Sequence, residues 1–308
     1  MTSSLLQISY IGLGAIGKHI SGHIANHAAS LNYPPLLAYN RTQAKAEELK
    51  ETHPVVVATS LEEVAKKSDV IFSCLLNDAA VQETVEALLP HMKPNTILVE
   101  QSTIAPKLVK ELAQKVSQAG GTYMSCPILG PPFKAAAADL IVLVAGGDSS
   151  ARSKVLPLMV PVIGKKKIEL GENPEEGVRL KLCANFIVTS LMEMLGEYMT
   201  LAEASGVGQD KAQELIDNFL PQTIISTYAL RMSQETFRDQ IPSAIAGARK
   251  DASHIINMAN EINAPVPITH TFLKNCDYVL EKYGNYDTTS IVQAHRDQAG
   301  IPANLQKK

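Results

Sequence analysis

The 308-residue sequence has no tryptophan, few aromatic residues and only four cysteines. Cys74, Cys126, Cys183 and Cys276 lie far apart, with no Cys-x-x-Cys pair and no nearby histidine cluster. That spacing argues against structural zinc and a disulfide framework, and fits a reducing compartment. No apolar run approaches the ~18 residues of a membrane-spanning helix, so no integral membrane protein is expected. There is no long run of Lys or Arg, and the net charge is −3. Neither a nucleic-acid nor an anionic-membrane partner has compositional support. None of the eight histidines stands in H-E-x-x-H spacing, and no serine sits in a nucleophile elbow, so neither a metal site nor a hydrolase is expected. His254 and His270 are expected to pack or to face solvent. Met1 to Leu6 carries no charged side chain, and Asn304 to Lys308 matches no retention or prenylation signal. A cytoplasmic location is the default expectation.

What is present is ordinary globular material, 45% hydrophobic and 19% charged, in a length that suggests about two domains. Short apolar runs recur at Leu5–Ile11, Leu36–Tyr39, Val55–Ala58, Val70–Cys74, Thr96–Glu100, Thr122–Cys126 and Ile141–Ala145. Helix-like segments separate them, among them Gln43–Lys50, Leu61–Lys67, Ala79–Leu89 and Lys107–Ala119. Near-continuous apolar strands alternating with helices predict a parallel sheet covered on both faces. The rhythm stops near Gly164, with one more short run at Lys167–Leu170. From about Pro174 onward helices are expected, over Glu176–Ser205, Asp210–Leu220, Ala246–Ile262, Ile268–Tyr283 and Thr288–Ala299, with Gly206 closing the first. The expected plan is an α/β Rossmann-type doubly wound sheet over residues 1–164, followed by an all-α helical domain over 165–308.

The first strand runs into Gly12-Leu13-Gly14-Ala15-Ile16-Gly17, a G-x-G-x-x-G motif. Gly12 permits a tight turn, Gly14 admits a pyrophosphate to the backbone, and Gly17 lets helix and strand pack closely. The helix that follows offers free N–H groups to phosphate. A strand before, a helix after and a βαβ array beyond are the context that gives this short pattern meaning. The second strand ends in Asn40-Arg41-Thr42, with Asn40 23 positions after Gly17. A carboxylate there would bond a ribose 2′-hydroxyl and repel a 2′-phosphate. Neutral Asn40, cationic Arg41 and the Thr42 hydroxyl favour NADP over NAD. The alternative is that these three residues only cap the next helix.

Further on, Gly177, Lys181 and Asn185 recur at four-residue spacing, which places them near one face of a helix. Lys181 can carry a proton, and Asn185 can donate and accept hydrogen bonds one turn away.

G-x-x-x-K-x-x-x-N after a Gly-Leu-Gly-x-x-Gly domain resembles the β-hydroxyacid dehydrogenase family, which includes 3-hydroxyisobutyrate dehydrogenase and the glyoxylate and succinic semialdehyde reductases and, more distantly, 6-phosphogluconate dehydrogenase. The resemblance covers nearly the whole chain. It implies a nicotinamide-dependent dehydrogenase or reductase, NADP-dependent on the charge reading above, with Lys181 as general acid and base and Asn185 positioning the substrate. Val99-Glu100-Gln101-Ser102-Thr103-Ile104-Ala105-Pro106 resembles the family's D-x-S-T-x-x-P segment, which puts Thr103 beside nicotinamide and substrate. Leu75-Leu76-Asn77 is similar to its cofactor-lining loop. Lys250-Asp251 resembles its later Lys-Asp pair, with Lys250 near the nicotinamide, and Glu203-Ala204 fits its long helix. The implied assembly is a homodimer or homotetramer, and the implied substrate a small carbonyl compound or hydroxy acid.

One segment departs from the family. Ser125-Cys126-Pro127-Ile128-Leu129-Gly130-Pro131 stands where D-A-P-V-S-G-G is usual. Leu129 replaces a hydroxyl that would hold a substrate carboxylate, and Pro131 has no N–H. Ile128, Leu129 and Gly130 are thus expected to line a more apolar pocket. Two alternatives stay open. Imine reductases share the architecture but usually replace the lysine by Asp, Tyr or another residue. Non-catalytic proteins on a dehydrogenase fold generally lose it.

Overall fold

The first five strands are short, mostly apolar stretches, and each is followed by a helix. In the computed structural model, which describes residues 5–301, the first strands and α-helices are β1 (Ile8–Ile11), α1 (Gly17–Ser30), β2 (Leu36–Tyr39), α2 (Ala44–Lys50), β3 (Val55–Val57), α3 (Leu61–Lys67), β4 (Val70–Ser73), α4 (Asp78–Leu88), β5 (Ile97–Glu100), α5 (Pro106–Gln118) and β6 (Thr122–Ser125). The Asn304 to Lys308 segment and the start of Met1 to Leu6 lie outside the described residues. Then come β7 (Ile128–Leu129), α6 (Pro132–Ala136), β8 (Leu140–Gly146), α7 (Ser149–Met159) and β9 (Gly164–Glu169). The sheet order is β3-β2-β1-β4-β5-β6-β8-β7, with β9 beside β8. Strands β1 to β6 pair in parallel.

Both faces of the sheet are buried, as a doubly wound fold requires. Ile8, Tyr10, Phe72 and Val99 pack on one side. Ile11, Ile71, Leu98 and Leu112 pack on the other. The covering helices are started by side chains: Ser60 Oγ accepts from Glu63 N at 3.1 Å, Asn77 Oδ1 from Ala80 N at 2.9 Å and Asp148 Oδ1 from Ala151 N at 2.8 Å. Each satisfies an N–H that the first helical turn leaves unpaired.

β8 runs antiparallel to both β6 and β7, pairing Ser125 with Ala145 and Ile128 with Val142. Between them the Leu143 N–H donates to the Pro127 carbonyl at 3.0 Å. β6 and β7 therefore form one ladder in one register, interrupted where Pro127 has no N–H to give.

The rest is helical: α8 (Glu175–Ala204), α9 (Gln209–Phe219), α10 (Ile224–Ser233), α11 (Ile245–Glu261), α12 (Pro267–Lys282) and α13 (Val292–Gln298). Gly206, just past α8, has φ +82°, which a glycine adopts without strain. Met192, Leu195, Phe237, Phe272, Val279 and Ile291 form this part's own core. The chain divides into two compact units after Lys181.

The structure adds elements that hydrophobic patterning does not reveal. β7 is two residues long. α6 begins Pro-Phe, and α7 contains Pro157. α10 opens Ile-Ile-Ser-Thr-Tyr, and is started by Thr223 Oγ1 accepting from Ser226 N. β9 overlaps the expected short run at Lys167–Leu170 but begins earlier, at Gly164, where three consecutive lysines, Lys165 to Lys167, give its first half a polar composition that hides its membership of the sheet. The helix expected over Thr288–Ala299 starts as a 3₁₀ turn, Thr288–Ile291, before α13.

Candidate functional site

Strand order reverses between β1 and β4, and open α/β sheets bind ligands at the carboxyl ends of strands at such a point. The glycine motif follows β1, and Cys74-Leu75-Leu76-Asn77 follows β4. The two touch. A Cβ on Gly12, whose φ is +96°, would lie 2.3 Å from the Cys74 carbonyl oxygen and 2.8 Å from Leu75 Cδ2. A Cβ on Gly17 would lie 2.0 Å from the Gly12 carbonyl oxygen. Gly14 differs, because nothing lies within 4 Å of its missing Cβ. Gly12 and Gly17 thus serve the protein's own packing, whereas Gly14 faces open space and leaves room for a phosphate. Leu13 is buried behind them, and Ile16 packs against the sheet core. Ala15 lines a cavity with Gly14.

Asn40 holds the loop from the neighbouring strand. Its Oδ1 accepts from Leu13 N at 2.9 Å and its Nδ2 donates to the Thr42 carbonyl at 3.0 Å. α2 starts later, at Ala44, with no side-chain cap. The helix-capping alternative for Asn40-Arg41-Thr42 is therefore not what the side chains do. Arg41 and Thr42 are exposed. A cavity of about 340 Å³ opens between α1 and α2, lined by Leu13, Gly14, Ala15, Lys18, His19, Lys45, Glu48 and His53 among others. Burial and the neighbouring Lys18 hold His19 below its ordinary pKa.

Leu76 is 81% exposed, and Asn77 starts α4 with its side chain. Leu75 N donates to Ser102 Oγ at 2.7 Å, which ties this loop to the segment carrying half-buried Thr103. The Ala105 N–H donates to Asp78 Oδ2 at 3.1 Å. Of the three pocket candidates, Ile128 is buried in the sheet core and Leu129 and Gly130 are half-buried. Gly130, at φ +144°, turns the chain into α6, and a Cβ there would lie 2.6 Å from Leu140 Cδ2. Pro131 and Pro132 start that helix.

On α8, a Cβ at Gly177 would lie 2.7 Å from the Ser125 carbonyl oxygen. The glycine lets the first turn of the helix approach the end of β6, and half-buried Lys181 follows one turn later. Within the helical unit, Asn185 Nδ2 donates to Asp251 Oδ2 at 2.7 Å, and Lys250 Nζ lies 3.3 Å from Asp251 Oδ1. Asp251 thus joins Asn185 and Lys250, two residues 65 positions apart in sequence. Its only signal in the sequence is its place beside Lys250.

The family model for the NAD binding domain of 6-phosphogluconate dehydrogenase matches residues 7–171, more than half of the chain. That for the NAD-binding part of NADP-dependent 3-hydroxyisobutyrate dehydrogenase matches residues 176–295. The chain belongs to the β-hydroxyacid dehydrogenase family. A curated relative, the NADH-dependent oxidoreductase ucdB of Aspergillus ustus, is 28% identical over 87% of this chain and 92% of that one. The 2-hydroxy-3-oxopropionate reductase of Escherichia coli is 26% identical over 94% of this chain and 97% of that one. The crystal structure of 3-hydroxyisobutyrate dehydrogenase from Salmonella typhimurium superposes with TM-score 0.82 at 18% identity, covering 94% of this chain and 99% of that one. It shares the fold. At this level the chain is an NAD(P)-binding oxidoreductase of the β-hydroxyacid dehydrogenase family.

One grouping in this family member comes from no sequence spacing considered above. Glu193 and Glu197 on α8 and His295 on α13 present ligand-type atoms within 4.8 Å of one another. His295 Nε2 lies 3.2 Å from Glu193 Oε1, which also accepts from Asn275 Nδ2 at 2.7 Å. A Cβ on Gly196 would lie 2.5 Å from the His295 ring, so that glycine makes room for the imidazole. Its residues lie on two helices about a hundred positions apart, which is why no local motif announces it. No helix among the described residues is long and apolar enough to cross a membrane.

Proposed function

We propose that this β-hydroxyacid dehydrogenase family member is an NADP(H)-dependent reductase or dehydrogenase. It would interconvert an alcohol with an aldehyde or ketone of a small hydroxy acid or related carbonyl compound. The observation that carries the cofactor reading is the strand end at Asn40. Its side chain is committed to the glycine loop, Arg41 stands exposed beside it, and Lys18 and Lys45 line the adjoining cavity. Cationic side chains at that position suit a 2′-phosphate. The open space at Gly14 fits a pyrophosphate against backbone N–H groups. Gly12 to Gly17, Asn40 to Thr42, Leu75 to Asn77, Thr103 and Lys250 are the residues we assign to the nucleotide, which supplies the hydride chemistry when bound.

The chain's own task is to orient the substrate and manage one proton. Lys181 gives a proton to the substrate oxygen in reduction and, as the neutral amine, takes the hydroxyl proton in oxidation. Asn185, held by Asp251, orients that oxygen by hydrogen bonding. Leu129 and Gly130 border the substrate with little polar surface, which favours carbonyl compounds without a carboxylate at that end. We place the enzyme in the cytoplasm and expect it to act as a homodimer or homotetramer.

The test is an activity panel followed by oxidation or reduction of NADP(H) and NAD(H), with glyoxylate, succinic semialdehyde, uncharged aldehydes and cyclic imines as substrates. Faster turnover of aldehydes with NADPH is expected. Lys181→Met should lower kcat about 10²-fold or more without loss of NADPH binding. Near-normal turnover would sink the lysine's role, and turnover of imines alone would replace the reading with imine reduction.

A further inference from the structure

Glu100 ends β5 and is 1% exposed, yet no ion pair to it is found among the described residues. A carboxyl taken out of water without a cation costs free energy that an apolar side chain would not. Its position explains what it does. In the sheet it stands in register between Ser73 of β4 and Ser125 of β6. One carboxyl oxygen, Oε2, accepts from Ser73 Oγ at 2.5 Å. The other accepts from Ser102 N at 2.7 Å. That second bond sets the turn out of β5 and aims Ser102 Oγ at the next strand, where it accepts from Leu75 N at 2.7 Å. Leu75 in turn lies against Gly12, close enough that no Cβ would fit between them. A continuous chain of contacts thus runs from Glu100 through Ser102 and Leu75 to the glycine loop.

We propose that Glu100 is a positioning residue, which holds the Leu75–Asn77 loop and the Ser102–Thr103 turn in register against the glycine loop so that the three receive the nucleotide together. This rests on the nucleotide reading above. The alternative role, a carboxyl kept only for folding, is hard to reconcile with the burial cost: burial pushes the Glu100 carboxyl above its usual range, while its hydrogen bonds pull it back. A carboxyl whose burial is costly, and whose hydrogen bonds go to the end of β4 and to the turn out of β5, serves the segments that those two strands deliver.

The experiment uses the full chain and two readouts, amide hydrogen exchange of the ligand-free protein and the dissociation constant for NADPH by fluorescence titration. Glu100→Gln can still accept from Ser102 N through its carbonyl and donate to Ser73 Oγ. Exchange and affinity are expected to stay within about twofold of wild type. Glu100→Leu loses both acceptors. Protection at Leu75 and Ser102 should fall about tenfold with Phe72 and Val99 unchanged, and NADPH should bind about tenfold more weakly. Ser102→Ala removes the acceptor of the Leu75 N–H together with the hydroxyl's own hydrogen bond to Glu100, leaves the Ser102 N–H bond to Glu100 in place, and should loosen Leu75 and weaken NADPH likewise, which keeps the idea testable if the leucine variant fails to fold. Unchanged protection at Leu75 in Glu100→Leu and Ser102→Ala overturns the proposal, and so does unchanged NADPH affinity in variants whose loops have loosened. A wild-type protein that binds no nicotinamide nucleotide overturns the nucleotide reading instead, and the exchange data still decide whether Glu100 holds the loops.

Discussion

Asn40 and Arg41 are neighbours with opposite duties. Asn40 spends both ends of its amide on the protein, one on Leu13 and one on Thr42, whereas the exposed Arg41 is left for solvent or ligand. Arg41→Ala should therefore leave thermal stability near wild type and raise the KM for NADPH about tenfold, with the KM for NADH little changed; steady-state kinetics with both cofactors check this. Equal loss with both nucleotides would move the adenosine end elsewhere. The sequence displays the charge at this strand end, but not that its neighbour Asn40 is tied to the glycine loop, because that bond crosses from one strand end to the next. Glu100 shows the limit. The sequence displays it as one position of a motif, but its partners come from β4 and from its own turn, and only the register of three strands brings Ser73, Glu100 and Ser125 into a row. Asp251 is similar, since its bond to Asn185 joins two helices.

Elements divide by how regular their patterns are. The six strands β1 to β6 and the long α8 were readable because burial on both faces demands continuous apolar runs and a long helix demands a sustained repeat. β7, α6 and α10 escape because two residues, a Pro-Phe start and a β-branched composition carry no such signal. The glycine loop is the element whose parts can be pulled apart by experiment. Gly12→Ala forces a side chain into φ +96° and against the Cys74 carbonyl, so the melting temperature should fall by several degrees. Gly14→Ala meets nothing within 4 Å. It should melt near wild type but bind NADPH at least about tenfold more weakly, because a methyl would stand where the proposed site has a phosphate approach the backbone. Calorimetry beside nucleotide titration separates the two, and similar melting losses in both variants would contradict the assignment.

At the scale of the whole molecule, α8 carries an apolar row that its own unit does not cover. Ile187, Met194 and Leu201 recur every seven residues and are 60%, 49% and 69% exposed. A seven-residue repeat of large apolar side chains on a 30-residue helix is the pattern of a helix seam. We expect the native protein to bury it against another copy. Leu201→Glu should shift the mass measured by light scattering toward the monomer, and a wild-type monomer at micromolar concentration would remove this expectation. The two-part plan was visible in the sequence as a change of rhythm. The place of the change was less so, because β9 is a sheet strand built from lysines, and its pairing partner rather than its composition makes it a strand.

The ladder around Pro127 has a consequence for substrate choice. Its register is kept by backbone groups on both sides of the proline, including the Leu143 N–H on the Pro127 carbonyl. None of those bonds depends on the side chain at position 129. The strand pairing therefore makes no demand on that side chain, and a hydroxyl or a hydrocarbon there leaves the same ladder beneath it. On the proposed function, in which Leu129 borders the substrate, a change of substrate class would then ask no strand to move.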